Sequence, residues 1–350
     1  MLYAGIDEAG YGPVLGPLCV GFVALSLENW KDGEAAPDVW SMLRPSVSKE
    51  PSKAGSRVQR IAVNDSKALK GSNSLKTRHP LTHLERGVLA FLSCLDAEGE
   101  LAGDDAGLFE RLGVALEPEW YGGEAVPLPL STTRDHLSLL AAPVRGACER
   151  AGVRVVEVRA HAMCERTFNE RLRSAVGDSG DPGERPGLAS KASVSFGVVA
   201  GFLRRVWKSQ ACLGGGAEKP LPRVVVDRQG GRTAYAGVLN RAFPDALVSV
   251  VGESAARSVY ELRGLGESDG RAMRVIFQME AEAAHFPVAL ASMTAKLVRE
   301  LAMARFNRYW GARIAELKPT AGYAQDGERW LSDVRAHLSA DQRAALRRLA

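Results

Sequence analysis

The chain has 350 residues, of which 46% are hydrophobic and 25% charged, and its formal net charge is only +4. Such a composition supports a large buried core in one large or two medium domains, and the lack of any apolar run of about eighteen residues excludes a membrane-spanning helix. Without a basic flank and cleavage site at the N-terminus, a secretory signal is not expected either, and a cytoplasmic location and a monomer are. The five cysteines, Cys19, Cys94, Cys148, Cys164 and Cys212, are odd in number and show no C-x-x-C spacing. They read as small buried apolar residues rather than a disulfide framework or a zinc site.

Leu2 to Asp7 and Leu18 to Leu25 are apolar enough for buried strands. The polar stretch from Glu28 to Arg60 reads as a loop or insertion, and a helix is expected over Pro80 to Leu95. Ala97 to Leu130, rich in Gly, Pro and acids, reads as irregular; Thr132 to Ala151 follows as a helix and Val153 to Arg159 as a half-exposed strand. Gly177 to Gly187 reads as a loop. Beyond it come a helix (Ala192 to Trp207), a buried strand ending in an acid (Pro222 to Asp227), a short helix (Thr233 to Ala242) and a strand (Ala246 to Val251). Alternation in Ser258 to Arg263 and Met273 to Met279 predicts a hairpin. Pro287 opens a helix that reaches Trp310. Strands alternating with helices predict an α/β domain with a partly parallel sheet. It is expected to span 1–312, with 313–350 as a C-terminal helical extension packed on it.

Several acids fall at the ends of these elements. Asp7 and Glu8 end the first strand inside a glycine-rich turn, and Asp227 ends Arg223-Val-Val-Val226. Glu300 follows Lys296 by one helical turn, and Lys296 follows Ser292 by another. Clustered carboxylates bind hard cations such as Mg²⁺ or Mn²⁺, which take oxygen ligands. Two such ions about 4 Å apart can activate water and stabilise the leaving oxygen in phosphodiester cleavage. Each acid alone also suits a structural role: Asp7 as a turn cap, Asp227 as a strand end, Glu300 as the partner of Lys296. Likewise Arg204, Arg205 and Lys208, and Arg223, Arg228 and Arg232 around Asp227, suit solvated surfaces as well as a nucleic-acid face.

Asp7-Glu8-Ala9-Gly10-Tyr11-Gly12-Pro13, with Gly16-Pro17 after it, resembles the opening motif of the type 2 ribonuclease H family, ribonucleases HII and HIII. Asn64-Asp65-Ser66-Lys67-Ala68-Leu69 is similar to the family's Asp-Ser-Lys-Lys-Leu segment, and Val224-Val225-Val226-Asp227 resembles the strand bearing its third acid. Ala291-Ser292-Met293-Thr294-Ala295-Lys296-Leu297-Val298-Arg299-Glu300 resembles its Ala-Ser-Ile-x-Ala-Lys-x-x-Arg-Asp helix, and Gly322-Tyr323 its later Gly-Tyr. The resemblance implies a ribonuclease H-like fold with a mixed five-stranded sheet flanked by helices. It implies Asp7, Glu8, Asp227 and Glu300 as catalytic acids holding two Mg²⁺ or Mn²⁺ ions, and cleavage of the RNA strand of RNA-DNA hybrids to 5′-phosphate and 3′-hydroxyl ends. Gly10, Tyr11, Gly12, Lys67, Lys296 and Tyr323 would meet the substrate.

The pattern departs from the family in two places. Tyr11 stands where ribonuclease HII has the arginine of Gly-Arg-Gly, and Glu300 stands where the fourth acid is usually Asp. A terminal Glu points toward HIII and its preference for stretches of RNA, yet the sequence opens directly on the catalytic strand, without the separate substrate-binding domain that typical HIII enzymes carry before it. Tyr11 either replaces the arginine's contact by stacking or points away. Tyr323 either stacks on a deoxyribose or is an ordinary core or surface tyrosine. The alternatives for the whole chain are a catalytically weakened hybrid-binding protein on the same fold and a DNA-acting enzyme of the wider superfamily.

Overall fold

The structure is a computed structural model that describes all residues except 29, 31–36, 54, 73–76, 175–189, 214–219, 229–230 and 350, and the side chain of residue 174. The loop expected over 177–187 lies outside the described residues, as do parts of the stretch 28–60.

The strands are β1 (Leu2–Ala9), β2 (Leu18–Leu27), β3 (Val47–Ser48), β4 (Ile61–Ala62), β5 (Val153–Met163), β6 (Arg223–Asp227), β7 (Ala246–Glu253), β8 (Arg257–Gly264) and β9 (Ala272–Gln278). β3 and β4 form a small parallel pair, and the others form one mixed sheet in the order β5-β2-β1-β6-β9-β8-β7. β1, β2 and β5 pair antiparallel, while β6 lies parallel to β1 and β9 parallel to β6. These five match the expected mixed sheet, but the sheet has seven strands, not five. The hairpin expected around 258–279 is the antiparallel pair β8/β9, and β7 pairs antiparallel beyond it. β9 would otherwise present an unpaired edge, and β8 satisfies its donors and acceptors.

The helices are α1 (Val39–Met42), α2 (Ser66–Leu69), α3 (Thr82–Leu92), α4 (Asp105–Leu112), α5 (Arg134–Arg150) and α6 (Glu165–Ser174). They continue with α7 (Lys191–Lys208), α8 (Ala236–Ala242), α9 (Ala281–Ala284), α10 (Phe286–Gly311), α11 (Ala324–Val334) and α12 (Ala340–Leu346). Among the described residues no helix is long and apolar enough to cross a membrane. One sheet face packs on α3, α5 and α10 through Leu84, Phe91, Val144 and Phe286; the other packs on α7 and α8 through Phe202, Leu203 and Leu239. A third cluster joins the end of α10 to the C-terminal helices through Phe306, Trp310, Trp330 and Leu346.

The stretch 97–130 is less irregular than its composition predicts, because it contains α4. Asp104 caps that helix by accepting from Gly107 N, and Leu108, Phe109 and Leu112 recur at helical spacing on its buried side. The fully buried Asp105 accepts two 2.6 Å hydrogen bonds from the Arg305 guanidinium and another from Val126 N. Replacing Arg305 by Ala strands that carboxylate and is expected to cost about 3–5 kcal/mol in urea unfolding.

Glycine decides how α10 meets the sheet. A Cβ on Gly5 of β1 would lie 2.2 Å from the Pro287 carbonyl carbon, and one on Gly21 of β2 only 2.1 Å from the Ala291 oxygen. The helix therefore rests on bare backbone. Gly21→Ala is expected to destabilise the fold by about 2–3 kcal/mol. Gly201→Ala, in α7 where nothing lies within 4 Å of the added carbon, should stabilise it by about 0.5–1 kcal/mol. Equal urea midpoints for the two variants would refute this account of the packing.

Candidate metal centre at the sheet edge

Ile6 pairs with Val226 across the parallel β1/β6 ladder, and Asp7 and Asp227 are the next residues on each strand. They sit on adjacent strands about 4.8 Å apart at the carboxyl edge of the sheet, where crevices form in open α/β sheets. Asp227 is in turn level with Gln278 of β9. Beyond Gln278 the chain reverses through Glu280, a non-glycine residue in the left-handed region at φ 50°, and enters α9. That reversal aims Ala281 N at Asp227 Oδ1, 2.9 Å away, and carries Glu282 to the same edge.

Asp7 is buried, with 7% of its surface exposed, and Glu8 N donates to its Oδ1 at 2.7 Å. From α10, Ser292 also hydrogen-bonds to Asp7, and its Oγ donates to Ser66 Oγ of α2 at 3.0 Å. The two serines thus tie the segment bearing Lys67 to the acid edge.

Burial holds the Asp7 carboxyl well above the usual carboxylate range; the charges of Glu8 and Glu282 push it further, and the Ser292 hydrogen bond opposes them. Asp227 is pushed up to about 8 by burial, then by Asp7, with Glu282 as a nearby charge and a hydrogen-bond partner. Glu282 Oε2 is buried without a partner. Among the described residues no Lys or Arg forms an ion pair with Asp7, Asp227 or Glu282, although the chain as a whole is cationic.

Glu300 lies elsewhere. It pairs with Lys296 at 2.9 Å and Lys70 at 3.7 Å. Eight residues of helix separate it from Ser292, about 12 Å at 1.5 Å per residue. The structure brings Asp7, Glu8 and Asp227 together with Glu282, while Glu300 sits with Lys296 and Lys70. The missed signal is positional: Glu282 closely follows the carboxyl end of β9, parallel neighbour of the strand that ends in Asp227.

The other predicted site residues flank this edge. Gly10, at φ +88°, shapes the turn; Tyr11 is half-buried; and nothing lies within 4 Å of a Cβ placed on Gly12. Lys67 is exposed near the start of α2, which Asp65 caps. Lys296 is nearly buried, donates to Tyr323 Oη at 3.4 Å and lies 5.7 Å from the Tyr323 ring centre. Tyr323 keeps 44% of its surface exposed. Lys296 and Tyr323 form a second cluster with Lys70 and Glu300.

The donor set at the acid edge is all carboxylate oxygen, as a hard divalent cation requires. The orphaned Glu282 oxygen and the raised Asp7 and Asp227 carboxyls are what a cation would relieve. Among the described residues no three His, Cys, Asp or Glu groups converge on one point as ligands. The fit therefore rests on donor chemistry and register, not on preformed coordination.

No family model matches the chain, and no curated protein does. Among solved structures, ribonuclease HII in the PCNA complex from Archaeoglobus fulgidus is 14% identical, with 99% of this chain and 94% of that one covered and a TM-score of 0.40. Ribonuclease H2 from Pyrococcus horikoshii is 13% identical over 99% and 92% of the two chains, with a TM-score of 0.36. Ribonuclease H3 from Aquifex aeolicus is 12% identical over 99% and 70%, with a TM-score of 0.37.

The raised carboxyls make stability depend on pH in a definite direction. Asp227 titrates near 3.8 when unfolded and near 8 when folded, so its protonated form is favoured by folding. That contribution is complete below about pH 4 and is lost as pH rises through 8. Without divalent ions, Asp227→Asn should therefore melt about 2–4 °C above wild type at pH 8, and the gap should close toward pH 4. Mg²⁺ should raise the wild-type melting temperature at pH 8 more than that of the variant. A variant less stable than wild type at pH 8 without metal would contradict the electrostatic picture.

Proposed function

We propose that the protein is a divalent-metal-dependent endoribonuclease that cleaves the RNA strand of RNA-DNA hybrids, leaving 5′-phosphate and 3′-hydroxyl ends. One observation carries the proposal: the carboxylates of Asp7, Asp227 and Glu282 gather beside Glu8 at the carboxyl edge of the sheet, and among the described residues no Lys or Arg forms an ion pair with Asp7, Asp227 or Glu282. The ordered motifs from Asp7 to Tyr323 supply the substrate class.

Asp7, Glu8, Asp227 and Glu282 would hold one or two Mg²⁺ or Mn²⁺ ions. Bound there, the ions supply an activated water and stabilise the departing oxygen. Ser292 and Glu8 N fix the Asp7 carboxylate, and Ala281 N fixes Asp227. The bare backbone of Gly12, with nothing within 4 Å of an added Cβ, leaves room for a ribose, whose 2′-hydroxyl can both donate and accept. On the other flank Lys296, paired with Glu300, donates to the hydroxyl of the exposed Tyr323. A catalytically silent hybrid binder gains nothing from this cluster, because negative charge opposes a polyanion.

Asp7→Asn and Glu282→Gln should each lower single-turnover cleavage of a hybrid by about 10³-fold, roughly 4 kcal/mol of barrier. Glu300→Gln should cost less than about tenfold, acting only through its lysine partners Lys296 and Lys70. Wild-type cleavage by Asp7→Asn would sink the nuclease reading, and an active Glu282→Gln beside an inactive Glu300→Gln would return the fourth ligand to Glu300.

With Mg²⁺ and with Mn²⁺, duplexes carrying one ribonucleotide, four ribonucleotides or a full RNA strand should be cut in rising order of rate. Preference for the single ribonucleotide would overturn that expected specificity.

A further inference from the structure

The two strands beyond the expected five do more than cover an edge. β8 begins at Arg257, which pairs with Gln278, and Gln278 pairs with Asp227. Asp7, Asp227, Gln278 and Arg257 therefore form one row across four neighbouring strands at the carboxyl edge. They also share a face. Ser258, the next residue, turns the other way, donating to Thr233 O and accepting from Arg228, whereas Val259 packs into the cluster beneath α10, as Val225 and Ile276 do. Arg257 thus emerges on the side of α10 where Asp7 and Asp227 lie, close enough for its charge to help lower His285, at the start of that helix, to about 4 beneath the larger effect of burial.

The neighbouring arginine fixes this position. Arg228, directly after Asp227, donates to the carbonyls of Ser254 and Ala255 and to Ser258 Oγ, and its own N–H bonds Gln278 O. The turn joining β7 to β8 is thereby tied to the strand that bears the acid. Arg257 itself is exposed, and among the described residues no ion pair engages its side chain. A rigid mount, an unneutralised guanidinium and a place two strand spacings from Asp227, about 10 Å, are what a backbone phosphate contact needs.

We propose that Arg257 binds a phosphate of the nucleic acid two to three nucleotides from the scissile bond, so that the added hairpin extends the substrate footprint to one side. The inference rests on the nuclease reading. The offset follows from the geometry, since 10 Å spans roughly three steps of a strand with one phosphate per 3.4 Å of axis. Arg suits this contact because its planar fork matches phosphate geometry and keeps its charge at any working pH.

The test measures binding of a fluorescein-labelled RNA-DNA duplex by anisotropy from 50 to 250 mM salt, in the Asp7→Asn background. Arg257→Ala should weaken binding about tenfold at the lowest salt and flatten the slope of log affinity against log salt by about one, the signature of one lost phosphate contact. Arg257→Lys should retain most of that slope. Trimming the duplex by three nucleotides on one side, and not on the other, should erase the difference between parent and Arg257→Ala. Unchanged affinity and slope in Arg257→Ala would overturn the contact, as would equal losses in the Ala and Lys variants or insensitivity to trimming on both sides. If the parent protein binds no hybrid at any salt, the nuclease reading falls first and this contact falls with it; a parent that binds while Arg257→Ala behaves identically removes only the contact.

Discussion

The close seat of α10 on β1 and β2 is the constraint from which the candidate site follows. The helix and β1 advance in step: Tyr3 Oη meets His285 Nδ1 at 2.6 Å, Gly5 underlies Pro287, Asp7 meets Ser292, and Gly10 lies against Arg299. Any side chain at Gly5 or Gly21 would push the helix outward by the width of a methyl group. Ser292 would then leave Asp7, and Ser66 would lose its partner on the helix. The same contact explains why so polar a segment as Ser292 to Glu300 is buried along most of its length: its cations serve fixed partners, Lys296 on Glu300 and Arg299 on backbone carbonyls.

Charge is distributed unevenly around that helix. On one side, Glu300 has two lysines and is electrostatically settled. On the other, burial and then the charges of Glu8 and Glu282 raise the proton affinity of Asp7, and burial and then Asp7 and Glu282 raise that of Asp227. A purely structural carboxylate cluster would be expected to resemble Asp105, which is met by a bidentate arginine and a backbone amide. The contrast within one chain separates a carboxylate met by protein donors from the buried carboxylates at the sheet edge for which a divalent cation is proposed.

Much of this was legible in the sequence. The apolar runs before Asp7 and Asp227 announced parallel strands ending in acids, and both acids are found side by side. Glu282 was not legible because its placement depends on the left-handed turn at Glu280 and on which strand neighbours β6, and neither follows from local periodicity. Glu300 had the better motif but the wrong distance: it shares a helix stripe with Ser292, and a stripe says nothing about how far along the helix the sheet edge lies. The extra strands were visible as elements, yet their joining the main sheet required long-range pairing that alternation alone does not specify.

The glycine-rich turn brings the remaining argument to Tyr11. Its shape is imposed from behind rather than from the substrate side. Arg348 donates to the carbonyls of Gly10 and Pro13, Arg299 to those of Leu15 and Pro17, and buried Glu165 accepts from Gly16 N while Tyr121 Oη donates to it. Gly322 O closes the other edge by accepting from Val14 N and Leu15 N. The backbone of residues 10 to 17 is thus held by groups from α10, the C-terminal arm and the 320–323 segment. In the nuclease reading proposed above, tyrosine at position 11 would offer a nucleic-acid backbone an aromatic surface instead of a charge. In that reading the exposed Arg257, on the far side of the same row of strands, would supply on one flank of the acids the phosphate contact that position 11 does not offer on the other.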